Sequence, residues 1–195
     1  MIIQRIVSLV IGYFIGNIVL GFILGKTEKI DLRNEGSGSV GTTNTIRILG
    51  LPKGVATFLW DVIKPMLAML VVFIIFAAFT SNIKILMLYA GFGAIIGHDF
   101  PVLLKFHGGK GVATSVGVML ILYPICFPVC AAIFFTVVFL QRYISLGSIL
   151  AAIALGMQIL VFGLCGDLAY FGDYQVEAVI IAHLGIKKRI IEREV

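Results

Sequence analysis

Long apolar runs, repeatedly interrupted by short basic or glycine-rich segments, leave this chain little choice but to cross a lipid bilayer. Strongly apolar stretches cover approximately residues 3–25, 56–80, 84–104, 112–125, 127–140, 146–165 and 174–186. The pattern predicts an all-α polytopic membrane protein of about seven transmembrane helices. The fourth, fifth and seventh runs fall short of the about 20 residues that a roughly 30 Å hydrocarbon layer requires, so six crossings with one re-entrant piece is the alternative. Composition agrees, with 60% hydrophobic and 13% charged residues among 195 and a mean hydropathy of +1.10. Soluble domains carry about 25% charged residues. Residues 1–195 are expected to form one integral membrane domain, with no length left for a separate soluble one.

Charge sets the expected orientation, because Lys and Arg collect on the cytoplasmic side. With the N-terminus outside, the inner side receives Lys26, Lys29, Arg33, Arg47, Lys53, Lys105, Lys110, Arg142, Lys187, Lys188, Arg189 and Arg193, 12 of the 15 basic residues. The outer side receives Arg5 and Lys84, and Lys64 stands near the expected start of the second helix. The net charge of +5 thus reflects membrane loops, and no nucleic-acid partner is expected. Segments 26–54, 97–111, 141–148 and 187–195 are polar or glycine-rich and share the basic side. The opposite connections are brief: SNIK at 81–84, a PICFP turn at 124–128, and a stretch holding Asp167 and Asp173. Any chemistry is therefore expected on the cytoplasmic face.

The first run lacks a small-residue cleavage site and is as long as a full span, so it reads as a retained helix and not a signal peptide. Cys126, Cys130 and Cys165 lie in or beside apolar runs without a CxxC pair, which fits core cysteines and no metal.

Three segments carry the chemistry. In GSGSVGTTNTIRILG, residues 36–50, Gly36, Gly38 and Gly41 form GxGxxG, and Asp61 follows 20 positions later. A dinucleotide site would need a preceding strand, and Asp61 belongs to an apolar run, so that motif fails. Glycines that open backbone N–H groups to an oxyanion suit an anionic ligand better, with Ser37, Thr43, Asn44 and Arg47 as further donors. A linker with a capped helix start is the plainer alternative. In GHDFPVLLKFHGGKGVATSVG, residues 97–117, Leu104 and Gly111 stand where a Walker A loop needs Gly and Ser or Thr. Gly108, Gly109 and Gly111 nonetheless free the backbone ahead of an apolar helix with Thr114 in its first turn, and Lys110 adds a point charge. Lys110 could equally be a membrane anchor, and His98 either orients a polar network or caps its helix. The third segment, RYISLGSI at 142–149, puts Ser145 and Ser148 at a helix start, where capping would explain them. Asp61 and Lys64, three apart, read as a structural pair.

Together, in this order and separated by apolar helices, GSGSVGTTNTIRILG, GHDFPVLLKFHGGKGVATSVG and YISLGSI closely resemble the PlsY family of bacterial membrane acyltransferases, over nearly the whole chain. The resemblance implies a seven-helix enzyme that moves a fatty acyl group from acyl-phosphate to the 1-position of glycerol 3-phosphate, giving lysophosphatidic acid without metal, nucleotide or acyl carrier. It implies catalytic roles for Ser37, Arg47, Lys110, Ser145 and His98. Substrate or phosphate contacts are expected at Gly36, Gly38, Thr43, Asn44, Gly108, Gly109, Gly111, Thr114 and His183. No Ser-His-Asp set is evident, and the family route is direct attack without an acyl-enzyme.

Departures accompany the resemblance. Ser39 stands where members usually have Asn, and His183, Leu184, Gly185 and Ile186 stand where they usually have His-Arg-Glu-Asn. Gly16 and Asn17 replace the usual motif of the first helix. Weak use of glycerol 3-phosphate is the expected consequence. The competing readings are a different acceptor with the same donor, a non-catalytic lipid-binding paralogue, and a small transporter.

The orientation is testable with single cysteines placed in 36–50, 105–111 and 187–195 of a cysteine-free variant. All should resist impermeant thiol reagents in intact cells, and ready labelling of any one would overturn it.

Overall fold

A bilayer-embedded backbone must satisfy its own polar groups, which is why the apolar runs become helices. The computed structural model describes residues 2–164. In chain order the helices are α1 (Ile2–Gly16), α2 (Leu20–Thr27), α3 (Thr42–Leu49), α4 (Leu51–Phe76), α5 (Ile83–Asp99), α6 (Val112–Leu122), α7 (Phe127–Gln141) and α8 (Ile144–Leu164). Among the described residues five spans are long and apolar enough to cross a membrane: Ile2–Thr27, Leu51–Phe76, Ile83–Leu104, Pro124–Gln141 and Ile144–Phe162. At 11 residues α6 is shorter, as its run suggested. The seventh expected run, 174–186, lies outside the described residues. The chain divides into two units, Met1–Val118 and Met119–Val195.

Three expectations need correction. The first span is interrupted at Asn17–Val19, between α1 and α2. Asn17 Nδ2 donates to the Tyr13 carbonyl at 2.7 Å, while its Oδ1 accepts from Val102 N at 2.8 Å. The side chain thereby turns a break in the helix into a tether for the segment after α5. Secondly, in the alternative reading of 36–50 as a linker with a capped helix start, the helix start is present as α3 but no side chain caps it at Gly41. The segment's composition hid an amphipathic helix of eight residues that buries Asn44 and Thr45 and exposes Thr43 and Arg47. Thirdly, α4 starts at Leu51 and not near 56. Gly50, at φ +87, halts α3, and Pro52 opens the next helix where its missing N–H costs nothing. Lys64 accordingly lies in mid-helix and is fully buried, where an end position was expected.

In the first unit α1 and α5 run parallel and touch through two reciprocal glycine pairs. A Cβ on Gly12 or Gly16 would overlap the carbonyls of Ala90 or Ala94; one on Gly93 or Gly97 would overlap those of Leu9 or Tyr13. Each helix thus offers glycines four apart to the other's backbone, the small-residue packing that membrane helices use when no hydrophobic force draws them together. The seam delivers Asn17 and Ile18 from α1, and His98 and Asp99 from α5, to one end of the unit. Gly117 of α6 fits against the Val62 carbonyl and the ring of Pro65, the notch that proline makes in α4.

Around these contacts the usual distribution is inverted. The buried face of α4 carries Gly54, Thr57, Asp61 and Lys64 before turning apolar at Ala68, Met69 and Val72. Its exposed face carries Phe58, Leu59, Ile63, Leu67 and Leu70. Lipid accounts for that apolar exterior.

In the second unit α7 and α8 form an antiparallel pair. Gly147 sits against Phe134 and Val138, and Gln158 Nε2 donates to Cys130 Sγ at 3.3 Å. Cys126 and Cys130 are buried, as core cysteines should be; Cys165 lies outside the described residues.

Gly93→Val should lower thermal stability in detergent by at least the roughly 1–3 kcal/mol typical of overpacking, because the obstructing atoms are backbone. Gly156→Ala, with nothing within 4 Å of the new Cβ, serves as control and should leave the melting curve unchanged.

Candidate active site

Two loops of the first unit meet on a shared apolar cluster. Leu32 and Val40 come from the segment before α3, Leu104 from the segment after α5, and Val19 from the break between α1 and α2. Phe22, Ile30, Ile48 and Leu49 pack around them. The two glycine-rich motifs, some 70 residues apart in the chain, are therefore seated side by side.

The first loop is built around Asn44, which is 1% exposed. Its Nδ2 faces the carbonyls of Leu32, Glu35 and Ser39 at 3.2, 2.9 and 2.8 Å, and its Oδ1 accepts from Ser37 N at 3.0 Å. Gly36 and Gly38, at φ +61 and +68, supply the left-handed turns that wrap the chain around this amide. Ser37, Thr43 and Arg47 project outward and are exposed. Asn44, expected among the anion donors, instead spends its amide on the loop. An Asp31–Arg33 pair clamps the entrance at 2.7 Å, and Arg33 and Lys26 both lie over the Phe22 ring. The Arg33 guanidinium holds the Asp31 carboxyl down to about 2, against an ordinary 3.8. With a lowered folded value, the contribution of this clamp is present above 3.8 and is lost only as pH falls through about 2.

The second loop is built around His98, which is 3% exposed. Gly109 N donates to the His98 carbonyl at 3.0 Å, and a Cβ on Gly109 would overlap the imidazole at Nε2. A Cβ on Gly108 would overlap the same carbonyl, and one on Gly111 would come within 3.0 and 3.1 Å of the Asp99 carboxylate oxygens. Only glycines let the backbone lie this close to His98 and Asp99. Lys110 is carried between them, half-buried. The approach is held from below, where Tyr13 Oη donates to the Phe100 carbonyl at 3.0 Å and Asn17 holds Val102. Ser115 N and Oγ both donate to the Gly111 carbonyl, fixing the start of α6. Thr114, in that first turn, is fully buried, and its hydroxyl has no hydrogen-bond partner among the described residues.

Beneath both loops lies the polar stripe of α4. Thr57 reaches toward Gly21 of α2, beside Val40 and Thr45. Lys64 Nζ donates to Asp61 Oδ1 at 2.9 Å and lies 2.6 Å from His98 Nδ1. Ile18, whose carbonyl the helix break releases, accepts from Trp60 Nε1 at 2.8 Å and lies 3.5 Å from Lys64 Nζ. Among the described residues no group of three His, Cys, Asp or Glu side chains converges as a metal site would require.

The structure thus brings Gly36, Ser37, Gly38, Thr43, Asn44 and Arg47 into one loop region, and His98, Gly108, Gly109, Lys110, Gly111 and Thr114 into its neighbour. Ser145 is half-buried in the first turn of α8, in the second unit, where its carbonyl accepts from Ser148 Oγ at 2.9 Å. His183 and positions 184–186 lie outside the described residues. Sequence reasoning gave Asn17 and Asp99 no part and treated Asp61 and Lys64 as a bare pair. The signal for the pair was present, because an ionisable residue inside a span is costly and marks a functional site by default.

Relatives bear on what this site is. The family model described as glycerol-3-phosphate acyltransferase matches residues 6–193. The chain belongs to the glycerol-3-phosphate acyltransferase family. Among the family's members, the glycerol-3-phosphate acyltransferase of Thermoanaerobacter pseudethanolicus is 36% identical over 187 residues, covering 95% of this chain and 91% of the relative. That of Streptococcus pneumoniae strain CGSP14 is 42% identical over 178 residues, covering 91% and 81%. The crystal structure of PlsY, an integral membrane glycerol 3-phosphate acyltransferase, in its glycerol 3-phosphate form superposes with a TM-score of 0.79 at 31% identity, covering 97% of this chain and 89% of that one. Its lysophosphatidic acid form gives 0.75 at 29% identity with the same coverage. Both loops fall inside the span the family model matches. The expected membership in the PlsY family, and with it the all-helical membrane fold, is borne out.

Asn44→Ala should release the first loop while leaving α4 intact. Losing bonds worth about 0.5–1.5 kcal/mol each should raise amide exchange across residues 32–39 by at least tenfold in hydrogen-exchange mass spectrometry.

Proposed function

We propose that this protein transfers a fatty acyl group from acyl-phosphate to the 1-position of glycerol 3-phosphate, producing lysophosphatidic acid at the cytoplasmic face of a bacterial plasma membrane. The observation that carries this reading is a family match extending over residues 6–193 and taking in both glycine-rich loops. The local chemistry supports it. Both substrates bear phosphate, and the donor also bears a long chain, so a cationic loop region bordered by lipid-facing helices suits them.

In this reading the acceptor hydroxyl oxygen attacks the acyl carbonyl carbon, the bond from that carbon to the phosphate oxygen breaks, and the departing phosphate takes the proton. Arg47 and Lys110 neutralise phosphate and favour its departure, while N–H groups of the Gly108–Gly111 segment other than that of Gly109, which the His98 carbonyl holds, stabilise charge developing on the carbonyl oxygen. Thr114 offers a further hydroxyl. Holding the two reactants in register supplies part of the roughly 7–11 kcal/mol available to well-oriented groups. Ser37 and Ser145 act as phosphate ligands or positioning groups, and Gly36, Gly38 and Thr43 line the first loop. Asn44 serves by shaping that loop. No acyl-enzyme, metal, nucleotide or acyl carrier enters the scheme.

A second reading, the same donor with another acceptor, rests on Leu184, Gly185 and Ile186 standing where a polar run is usual. Purified protein given palmitoyl phosphate and labelled glycerol 3-phosphate should yield lysophosphatidic acid, with a high Michaelis constant for the acceptor. Product formed only with other hydroxyl acceptors would favour the second reading, and no acyl transfer to any acceptor would defeat both. Lys110→Ala should lower turnover more than tenfold at unchanged melting temperature, since a phosphate-bound ammonium makes charge-assisted bonds that a membrane anchor does not.

A further inference from the structure

His98 reaches the glycine loop with one edge of its ring and α4 with the other, and the α4 edge determines the state of the first. Lys64 Nζ stands 2.6 Å from His98 Nδ1, 2.9 Å from Asp61 Oδ1 and 3.5 Å from the Ile18 carbonyl. An ammonium has three N–H donors and no acceptor. An N–H on Nδ1 would point at another N–H across 2.6 Å, so Nδ1 must present its lone pair to Lys64. The competing partner, Asp61 Oδ1, lies 3.5 Å from Nδ1, outside the 2.7–3.2 Å of an ordinary hydrogen bond. With Nδ1 occupied as an acceptor, a neutral imidazole carries its proton on Nε2, the atom lying against Gly109.

We infer that Lys64, held by Asp61, is a positioning residue that locks His98 as the neutral Nε2–H tautomer, so that His98 serves the Gly108–Gly111 loop and its ligand as a hydrogen-bond donor and not as a general base. The inference deepens the acyl-transfer reading and rests on it for the ligand. It gives a purpose to a buried ion pair in a membrane helix: the pair imposes a direction on a ring nitrogen over 30 positions away in the chain. It also explains why the attacking hydroxyl must find its base elsewhere, on the departing phosphate. The groups that fix the tautomer all belong to the first unit, on α4, α5 and the break after α1.

The state of His98 is readable without any activity. The full chain, labelled with ¹⁵N-histidine and purified in detergent, contains three histidines, His98, His107 and His183, and a His98→Gln sample assigns the signals. The ¹⁵N shifts should place the proton on Nε2 with Nδ1 unprotonated. A signal from imidazolium or from the Nδ1–H tautomer overturns the inference, whether or not the protein transfers acyl groups. Lys64→Arg, which keeps a cationic donor, should preserve the tautomer, and Lys64→Met should lose it to a mixture. The wild-type spectrum stands as the test should the methionine variant fail to fold. In the lysophosphatidic acid assay, His98→Gln, whose amide N–H reaches the Nε2 position, should turn over at least tenfold faster than His98→Ala. Equal loss in both variants would mark His98 as a base and sink the inference. A wild-type protein without acyl transfer would instead defeat the proposed function and leave the spectroscopic result to decide the tautomer.

Discussion

The close parallel crossing of α1 and α5 is the constraint from which the rest of the first unit follows. Gly12, Gly16, Gly93 and Gly97 each approach backbone of the opposite helix so closely that a methyl group would overlap a carbonyl. In lipid, such contact relies on van der Waals packing and on weak Cα–H···O interactions, because nothing is gained by hiding apolar surface from apolar surroundings. Its consequence is positional. Both chains leave the seam at the same end, one residue past the last glycine, and there they set down Asn17 and His98. Asn17 then holds Val102, so the break in the first helix and the exit from α5 move as one piece.

On this frame α4 adds charge where charge is expensive. Removing an ion pair from water costs several kcal/mol per ion after relaxation, and Coulomb attraction within the pair offsets that only with good geometry and further hydrogen bonds. Lys64 meets the condition through Asp61 and His98, helped by the carbonyl that the helix break exposes at Ile18. The break is thus no defect. Irregular backbone at membrane depth is tolerated where protein surrounds it, and here it supplies an acceptor to Trp60 and brings a carbonyl dipole within 3.5 Å of Lys64. Two departures from regular membrane structure, an unwound turn and a buried salt bridge, stabilise each other.

The two loops use one strategy with different centres. Each is glycine-rich so that backbone can wrap a buried polar side chain, Asn44 in one and His98 in the other, and each carries a cation, Arg47 exposed and Lys110 half-buried. An apolar cluster drawn from both loops fixes their spacing, with Leu104 beside Leu32 and Val40. Separation of labour follows: buried polar groups shape the loops, and the proposed function assigns the two cations to phosphate.

The amino-acid sequence by itself determined the membrane class, the boundaries of most spans and the family, because these depend on the lengths of apolar runs, on where lysine and arginine are tolerated, and on three motifs kept in order. It could not reveal that the first span is broken, since Asn17 stops the helix only by having Val102, some 85 residues on, to bind. Nor could it separate Asn44, which faces inward, from Thr43 and Arg47, which face outward, until α3 had a direction relative to α2 and α4. The pairing of Asp61 with Lys64 was legible from their spacing along one helix. That the pair acts on His98 was decided by tertiary structure alone, because the state of an imidazole depends on what lies against each nitrogen, and those neighbours come from helices that only packing brings together.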